Sequence, residues 1–198
     1  MRARLPNRAG EGSKPMAAMP TITSLTADAV MARLSELAGL LQACVHGGAS
    51  VNFVLPFPMG EAETFWREKV LPAMAAGTRT VLVAEIDGHI AGSVQLSTET
   101  PPNQPHRADV TKLLVHPAFR RRGIGRALML ALEDEARARG RSLITLDTTT
   151  GGAAEPLYAG LGYVTVGVIP DFSVATTGDH LEPTTVMYKK IDEVEQKT

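Results

Sequence analysis

The stretch Arg120-Arg121-Arg122-Gly123-Ile124-Gly125-Arg126-Ala127 decides how this sequence is interpreted. It lies between a predicted strand, residues 108–115, and a predicted amphipathic helix, residues 124–139. The first turn of a helix has backbone N–H groups without internal partners, and the helix dipole is positive there. Glycines let that backbone approach a phosphate closely, and the arginines add charged donors. The stretch therefore predicts a pyrophosphate-binding loop.

Two well-known phosphate loops do not fit this stretch. A Walker A loop ends in Gly-Lys-Ser/Thr, whereas Arg126 follows Gly125 here. A dinucleotide-binding fingerprint requires a third glycine three residues after Gly125, where Leu128 stands. A solvated run of arginines with turn-forming glycines remains the alternative for the short pattern alone, and the strand–loop–helix context favours the phosphate site.

The elements on either side of the loop alternate between helix and strand. Upstream, two helices precede a hairpin whose turn is Asp87-Gly88, a strong signal for two paired strands. The downstream elements are a strand at 142–147, a short helix at 153–161, a strand at 163–169, a loop through 171–183 and a closing strand at 184–190. This order predicts a single mixed α/β domain with one sheet.

These residues resemble the GNAT acetyltransferase superfamily, whose acyl-CoA loop reads Arg/Gln-x-x-Gly-x-Gly/Ala after a strand. Leu113-Leu114-Val115-His116-Pro117 is similar to the splayed strand of that family, and residues 154–163 resemble its "LYxxLGF/Y" signature. The resemblance covers about residues 22–190. It implies a mostly antiparallel sheet that is splayed at the acyl-CoA site, with helices on both faces. Residues 146–148 and 167–188 look like the tabtoxin-resistance-type acetyltransferases.

The resemblance implies a role for each part of the site, with acetyl-CoA as the acyl donor. The backbone of Leu113, Leu114 and Val115 would bind the pantetheine arm, and the amide near Leu114 or Val115 would polarise the acetyl carbonyl. Arg120 and the backbone N–H groups of residues 121–127 would hold the pyrophosphate. Tyr158 would give its proton to the departing CoA thiolate, because a phenol and a thiol have comparable pKa values.

Two carboxylates are candidates for the general base. Asp109 lies on the central strand and Asp147 at the end of the next one, so both are expected beside the cleft where the strands diverge. Asp147 could instead bind the turn that follows it, and Asp109 could be a solvent-facing residue at the edge of the strand. The residues alone leave the base unassigned.

The expected function is acetyl transfer in a ternary complex, directly to an amine of a small-molecule or amino-acid-like acceptor. An O-acetyltransferase and a catalytically inactive CoA-binding regulator on the same fold are the alternatives. No metal is expected, because the five histidines show no metal-ligand spacing with cysteine or with one another. The single cysteine, Cys44, has no neighbours in the sequence that argue for a nucleophile.

Composition supports a cytoplasmic protein. The 198 residues carry a net charge of −1, which disfavours a strongly basic nucleic-acid binder, and no apolar run is long enough to cross a membrane. We expect a disordered tail at residues 1–20, one domain at residues 21–191 and a short tail at residues 192–198. Phe65, Trp66 and the C-terminal strand pair are candidate material for a homodimer interface.

Overall fold

The computed structural model describes residues 19–191, so the predicted tails lie outside the described residues except for Met19 and Pro20. The strands are β1 (Thr21–Leu25), β2 (Arg79–Ile86), β3 (His89–Ser97), β4 (Arg107–Val115), β5 (Leu143–Thr149), β6 (Val164–Val174) and β7 (Leu181–Lys190). The helices are α1 (Ala27–Ala32), α2 (Leu34–His46), α3 (Met59–Phe65), α4 (Leu71–Ala75), α5 (Ile124–Ala138) and α6 (Glu155–Gly160). Within this part of the chain, no helix is long and apolar enough to cross a membrane.

All seven strands belong to one sheet, in the order β1-β2-β3-β4-β5-β7-β6. Neighbouring strands are antiparallel except β4 and β5, which are parallel. The parallel pair is short, because only Arg107–Asp109 and Leu143–Thr145 are in register, although both strands continue beyond that point. The predicted mixed α/β fold, mostly antiparallel and splayed between two central strands, is confirmed.

Helices cover both faces of the sheet, so the chain has two hydrophobic cores. Along β2 the buried side chains alternate: Val81 and Val83 pack with α1 to α4, whereas Leu82 and Ala84 pack with α5. This alternation follows from the two-residue repeat of a strand. The sheet is buried on both sides along β2 and β3, and the apolar stripe of α5 supplies one of the two layers.

One glycine of β3 lets α5 lie close to the point where β4 ends. A Cβ on Gly92 would stand 2.7 Å from the carbonyl oxygen of Leu114 and 3.0 Å from Cγ2 of Ile124. The first contact is with backbone, which cannot move aside as the end of a side chain could. Gly92 therefore allows the first turn of α5 to sit directly over the end of β4.

A side-chain cap begins α1, and one stretch of the chain differs from the prediction. Thr26 caps α1 by accepting a hydrogen bond from the amide of Ala29, at 3.2 Å. The stretch predicted as a loop at 171–183 is wrong in part, because β6 continues to Val174 and β7 already begins at Leu181. A bulge between Ile169 and Ser173 explains the difference, since an edge strand tolerates a proline at a bulge.

The aromatic pair that was expected to offer interface material is used inside the chain. Trp66 is 0% exposed, and it lies in a π-helical turn, Trp66–Val70, that joins α3 to α4. Phe65 is half-buried and packs edge-on against Phe53, with ring centroids 5.4 Å apart. Trp66 offers no surface to a second copy, so the interface prediction is wrong for this residue, whereas Phe65 keeps part of its surface exposed.

Candidate active site

A cavity of about 790 Å³ opens where β4 and β5 stop pairing. Its walls come from the loop after α2, the end of β4, the start of α5, the end of β5, α6 and the β6–β7 hairpin. The cavity is thus built at the splayed point of the sheet, where two parallel strands leave backbone groups unpaired. Of the predicted site residues, most line this cavity, as described below for each wall.

The end of β4 presents a free backbone edge to the cavity. Leu113, Leu114 and Val115 all line the cavity, and the last two are in register with β3 alone. The amide of His116 donates to the carbonyl of Ala91 on β3, at 2.9 Å. Because N–H groups alternate between the two edges of a strand, the N–H of Val115 points away from β3 and towards the gap. That N–H is a donor without a strand partner.

The first turn of α5 supplies a second group of free donors. Its N-cap, Gly123, has a φ of 77°, a left-handed conformation that favours glycine. The first helical hydrogen bond runs from the amide of Ala127 to the carbonyl of Gly123, at 3.0 Å. The amides of Ile124, Gly125 and Arg126 precede it and have no partner in the helix. The positive end of the helix therefore faces the cavity.

The arginines of the loop divide into two groups. Arg120, Arg121 and Arg126 line the cavity together with the first turn of α5. Arg122 does not line it, because its guanidinium lies over the ring of Phe119, 5.2 Å from the centroid. Ala127 also lies outside the cavity lining, and its amide is already used inside α5. The structure thus brings together the predicted cofactor-binding residues other than Arg122 and Ala127.

Gly125 has a packing role that the sequence did not indicate. A Cβ at this position would stand 3.1 Å from Cδ2 of Leu157 and 3.8 Å from Cγ2 of Val115. The missing side chain therefore lets α5 approach α6 and the end of β4. Gly123 differs, because a Cβ there would meet open space and only its left-handed φ calls for glycine.

Tyr158, on α6, lies at the cavity and is almost fully buried. It is 5% exposed, it lines the cavity, and its ring centroid is 5.8 Å from that of Tyr163. Burial, followed by the negative charge of Asp147, raises the pKa of Tyr158 well above its usual value. The phenol therefore stays protonated at physiological pH and has a proton to give, and the raised pKa makes it a weaker acid than an exposed phenol.

The two candidate bases occupy different environments. Asp147 lines the cavity and accepts a hydrogen bond from the hydroxyl of Thr184, at 3.3 Å. Asp109 does not line the cavity, because it sits where β4 and β5 are still paired. Its carboxylate is bound there by the guanidinium of Arg107 and the hydroxyl of Thr145. The structure brings Asp147 together with Tyr158 and leaves Asp109 outside.

Several cavity residues have no signal in the sequence. The loop at 47–52 lines the cavity, and so does Lys112 on β4. Phe172, Ser173 and Glu182 of the β6–β7 hairpin line it as well. These hairpin residues fall in the 171–183 stretch that was predicted as a loop, so the direction of their side chains could not be inferred from a two-residue repeat. The 98–106 segment between β3 and β4 contributes nothing to the lining.

Cys44 also lines the cavity, but its thiol is a poor nucleophile. Its Sγ donates to the carbonyl of Val115, at 3.5 Å. Burial raises the pKa of Cys44 to about 11, and the nearby charge of Arg120 only partly opposes this. Among residues 19–191, no group of histidine, cysteine and carboxylate side chains is arranged to hold a metal ion.

Comparison with known proteins gives one family match and several structural matches. The sequence model of the acetyltransferase (GNAT) family matches residues 51–163. An uncharacterised N-acetyltransferase in the hisH-hisA intergenic region of Azospirillum brasilense is 31% identical over 125 residues, which are 62% of this chain and 72% of that protein.

Two solved structures have the same fold. The yncA protein of Salmonella typhimurium, solved with its cofactor acetyl-CoA, superimposes with a TM-score of 0.71 and 21% identity, covering 91% of this chain and 99% of that one. The ribosomal-protein-alanine N-acetyltransferase of Brucella melitensis gives a TM-score of 0.70 and 22% identity, covering 86% and 99%. At this identity the two structures bear on the fold alone.

Proposed function

Because the chain belongs to the acetyltransferase (GNAT) family, we propose that it transfers the acetyl group of acetyl-CoA directly to an amine of a small-molecule or amino-acid-like acceptor. One observation carries the proposal: the unpaired edge of β4 meets the free amides of α5 at a single cavity. An extended pantetheine arm needs the first feature, and a pyrophosphate needs the second.

The donor would occupy the gap between β4 and β5. Its pantetheine arm runs along the backbone of residues 113–115, as a strand would. Its pyrophosphate sits on the amides of residues 124–126, where the helix dipole and the guanidinium groups of Arg120, Arg121 and Arg126 add positive charge. The acetyl carbonyl then lies beside the N–H of Val115, which stabilises the oxyanion that forms during attack.

Proton transfers divide between two side chains in this mechanism. Asp147 takes a proton from the acceptor amine, directly or through one water, and we prefer it to Asp109 because only Asp147 lines the cavity. The amine attacks the acetyl carbon, a C–N bond forms and the C–S bond breaks. Tyr158 gives its proton to the sulfur as it leaves. The products are the acetylated amine and CoA.

A thiol-release assay tests the proposal. Acetyl-CoA is incubated with the protein and with separate panels of primary amines, amino acids, peptides and alcohols, and free CoA is measured. Release that depends on an amine, with the N-acetylated product seen by mass spectrometry, is the expected result. Release with alcohols alone would instead indicate an O-acetyltransferase. Tight acetyl-CoA binding without release for any panel would indicate a CoA-binding regulator.

We also propose a homodimer that forms through β6. This edge strand exposes Val164, Val166 and Val168, of which Val166 is 67% exposed. An unpaired apolar edge strand favours pairing with a second strand. Light scattering should give twice the chain mass of 21.1 kDa, and Val166→Glu should shift the protein towards the monomer. A monomeric wild type at working concentrations would contradict this.

The subgroup within the family and the cellular location are two further predictions for this chain. The likeness of residues 146–148 and 167–188 to tabtoxin-resistance-type acetyltransferases stays a prediction. A cytoplasmic location also stays a prediction, and it fits the use of acetyl-CoA as the donor.

A further inference from the structure

Lys112 occupies an unusual place in β4. Ser93 of β3 is in register with Leu114, whereas Gln95 is in register with Thr111, so β4 carries an extra residue between them. Lys112 lies in this bulge with a φ of 52°, which is uncommon for a residue with a side chain. Bulges of this kind re-aim side chains. Here the re-aimed side chain is a lysine that lines the cavity, three residues before Val115, whose N–H marks the proposed acetyl site.

The ammonium group of Lys112 is held in place by uncharged partners. Its Nζ donates to the carbonyl oxygen of Val51, at 2.6 Å. The same atom lies 5.2 Å from the ring centroid of Phe53 and 5.6 Å from that of Phe65. A carbonyl and two aromatic faces orient a cation and favour its charged form. An ammonium has three N–H donors, so the bond to Val51 leaves two for a ligand.

No carboxylate within the described residues pairs with this cation. The ion pairs among residues 19–191 do not include Lys112. Burial, then the positive charge of Arg79 on β2, lowers the pKa of Lys112 to about 8, while Asp147 on β5 acts in the opposite direction. A partly buried cation without an anion is unfavourable, and a bound anion would relieve it.

Apart from the arginines of the 120–127 loop, the charges that line the cavity form two groups. Lys112 stands on β4, whereas Asp147 stands on β5 and Glu182 on β7, beyond the gap between the strands. An acceptor that has only an amine would interact with the carboxylates and leave Lys112 without an anionic partner. An acceptor that has an amine and an acidic group would place its amine near the carboxylates and its acidic group near Lys112.

We propose that Lys112 binds an acidic group of the acceptor, so that the acceptor is an amine that also carries a carboxylate or a similar anion. This rests on the proposed function, since it concerns the acceptor side of the same cavity. Lys112 is then a binding and positioning residue, and the proton from the amine still goes to Asp147.

Paired acceptors test the proposal directly. Each of the common L-amino acids is compared with its α-amide, which keeps the amine and loses the negative charge. The wild type should prefer the best acid over its amide by about 10- to 100-fold in kcat/KM, the range expected for hydrogen bonds to a charged group. Lys112→Met should abolish that preference, and Lys112→Arg should keep part of it. Lys190→Met, which removes an exposed lysine outside the cavity, should leave it unchanged.

A second readout does not depend on turnover. The N-acetylated amino acid keeps its carboxylate and has no titratable amine, so its inhibition constant reports Lys112. Because only the protonated lysine binds an anion, inhibition should weaken by about tenfold from pH 7 to pH 9, for a group whose pKa is about 8. Lys112→Met should bind the product weakly and without this pH dependence, while its affinity for acetyl-CoA, measured by calorimetry, shows that it is folded.

The possible results distinguish the role of Lys112 from the acetyltransferase activity itself. Equal use of acids and amides by the wild type would overturn the role of Lys112 and leave the acetyltransferase activity in place. The same preference in Lys112→Met as in the wild type would also overturn it. Failure of every amine, with or without an acidic group, would overturn the proposed function and this inference together.

Discussion

Tyr158 and Asp147 line the same cavity, and the negative charge of Asp147 adds to burial in raising the pKa of the Tyr158 phenol. The phenol is thereby kept as a proton donor, and the carboxylate is available as a proton acceptor. A protonated phenol and a carboxylate that line the same cavity fit a reaction that needs one acid and one base. We assign the acid to Tyr158 and the base to Asp147 on this ground.

Removal of the phenol hydroxyl tests the assigned acid. Tyr158→Phe should lower kcat by about 10²- to 10⁴-fold, the usual contribution of a general acid, with acetyl-CoA affinity close to the wild type. Tyr163→Phe is the matched control, because it removes a buried hydroxyl next to Tyr158 but outside the cavity lining. Near-normal turnover in Tyr158→Phe, measured by thiol release at saturating acetyl-CoA, would mean that the tyrosine serves packing only.

The two aspartates give a paired test of the base. Asp147→Asn should reduce kcat by about 10²- to 10⁴-fold, because an amide cannot accept the proton. Asp109→Asn should keep most of the activity, since its carboxylate is bound by Arg107 and Thr145 outside the cavity. The opposite pattern would assign the base to Asp109.

The loop at 120–127 could be predicted because its chemistry is local. Backbone amides at a helix start and the left-handed Gly123 depend on residues that are neighbours in the sequence. The same holds for the β2–β3 turn, where Asp87 and Gly88 both have positive φ values. Such features are determined within a few residues, so a sequence shows them.

The acceptor side of the cavity could not be predicted because its parts are distant in the sequence. Lys112 faces the cavity only because β4 gains a residue relative to β3, and no pattern along β4 reveals that insertion. Glu182 reaches the cavity because β7 lies between β5 and β6, which is a matter of sheet order. The need for glycine at position 92 comes from the contact of β3 with β4 and α5, which the sequence of β3 alone does not show.

Substitutions of two glycines at opposite ends of α5 distinguish the cost of a left-handed backbone from an effect on acetyl-CoA binding. Gly123 and Gly140 have φ values of 77° and 66°, and a Cβ on either would meet open space. Alanine at either position should cost about 1 kcal/mol of stability, from the left-handed backbone alone. Only Gly123→Ala should also weaken acetyl-CoA binding, because it lies at the free amides of the helix. Calorimetry and thermal unfolding measure the two effects, and equal affinities for the two variants would contradict the phosphate site.

Gly92 gives a test of how α5 is positioned over β4. Gly92→Ala should lower the free energy of unfolding by about 1–3 kcal/mol, because the new Cβ would stand 2.7 Å from the carbonyl oxygen of Leu114. It should also weaken acetyl-CoA binding, since the end of β4 and the start of α5 would move apart. Gly167→Ala, on β6, has open space at its Cβ and should be nearly neutral. Wild-type stability in Gly92→Ala, measured by denaturant unfolding, would show that the contact is easily relieved.

Amide hydrogen exchange of the wild type, with and without acetyl-CoA, tests the central claim most directly. The claim is that the donor lies along the free edge of β4 and ends on the first turn of α5. The account predicts slower exchange on binding at residues 113–115 and 123–126, with little change at Arg107–Asp109, where β4 already pairs with β5. Binding that protects other segments and leaves both stretches unchanged would contradict it.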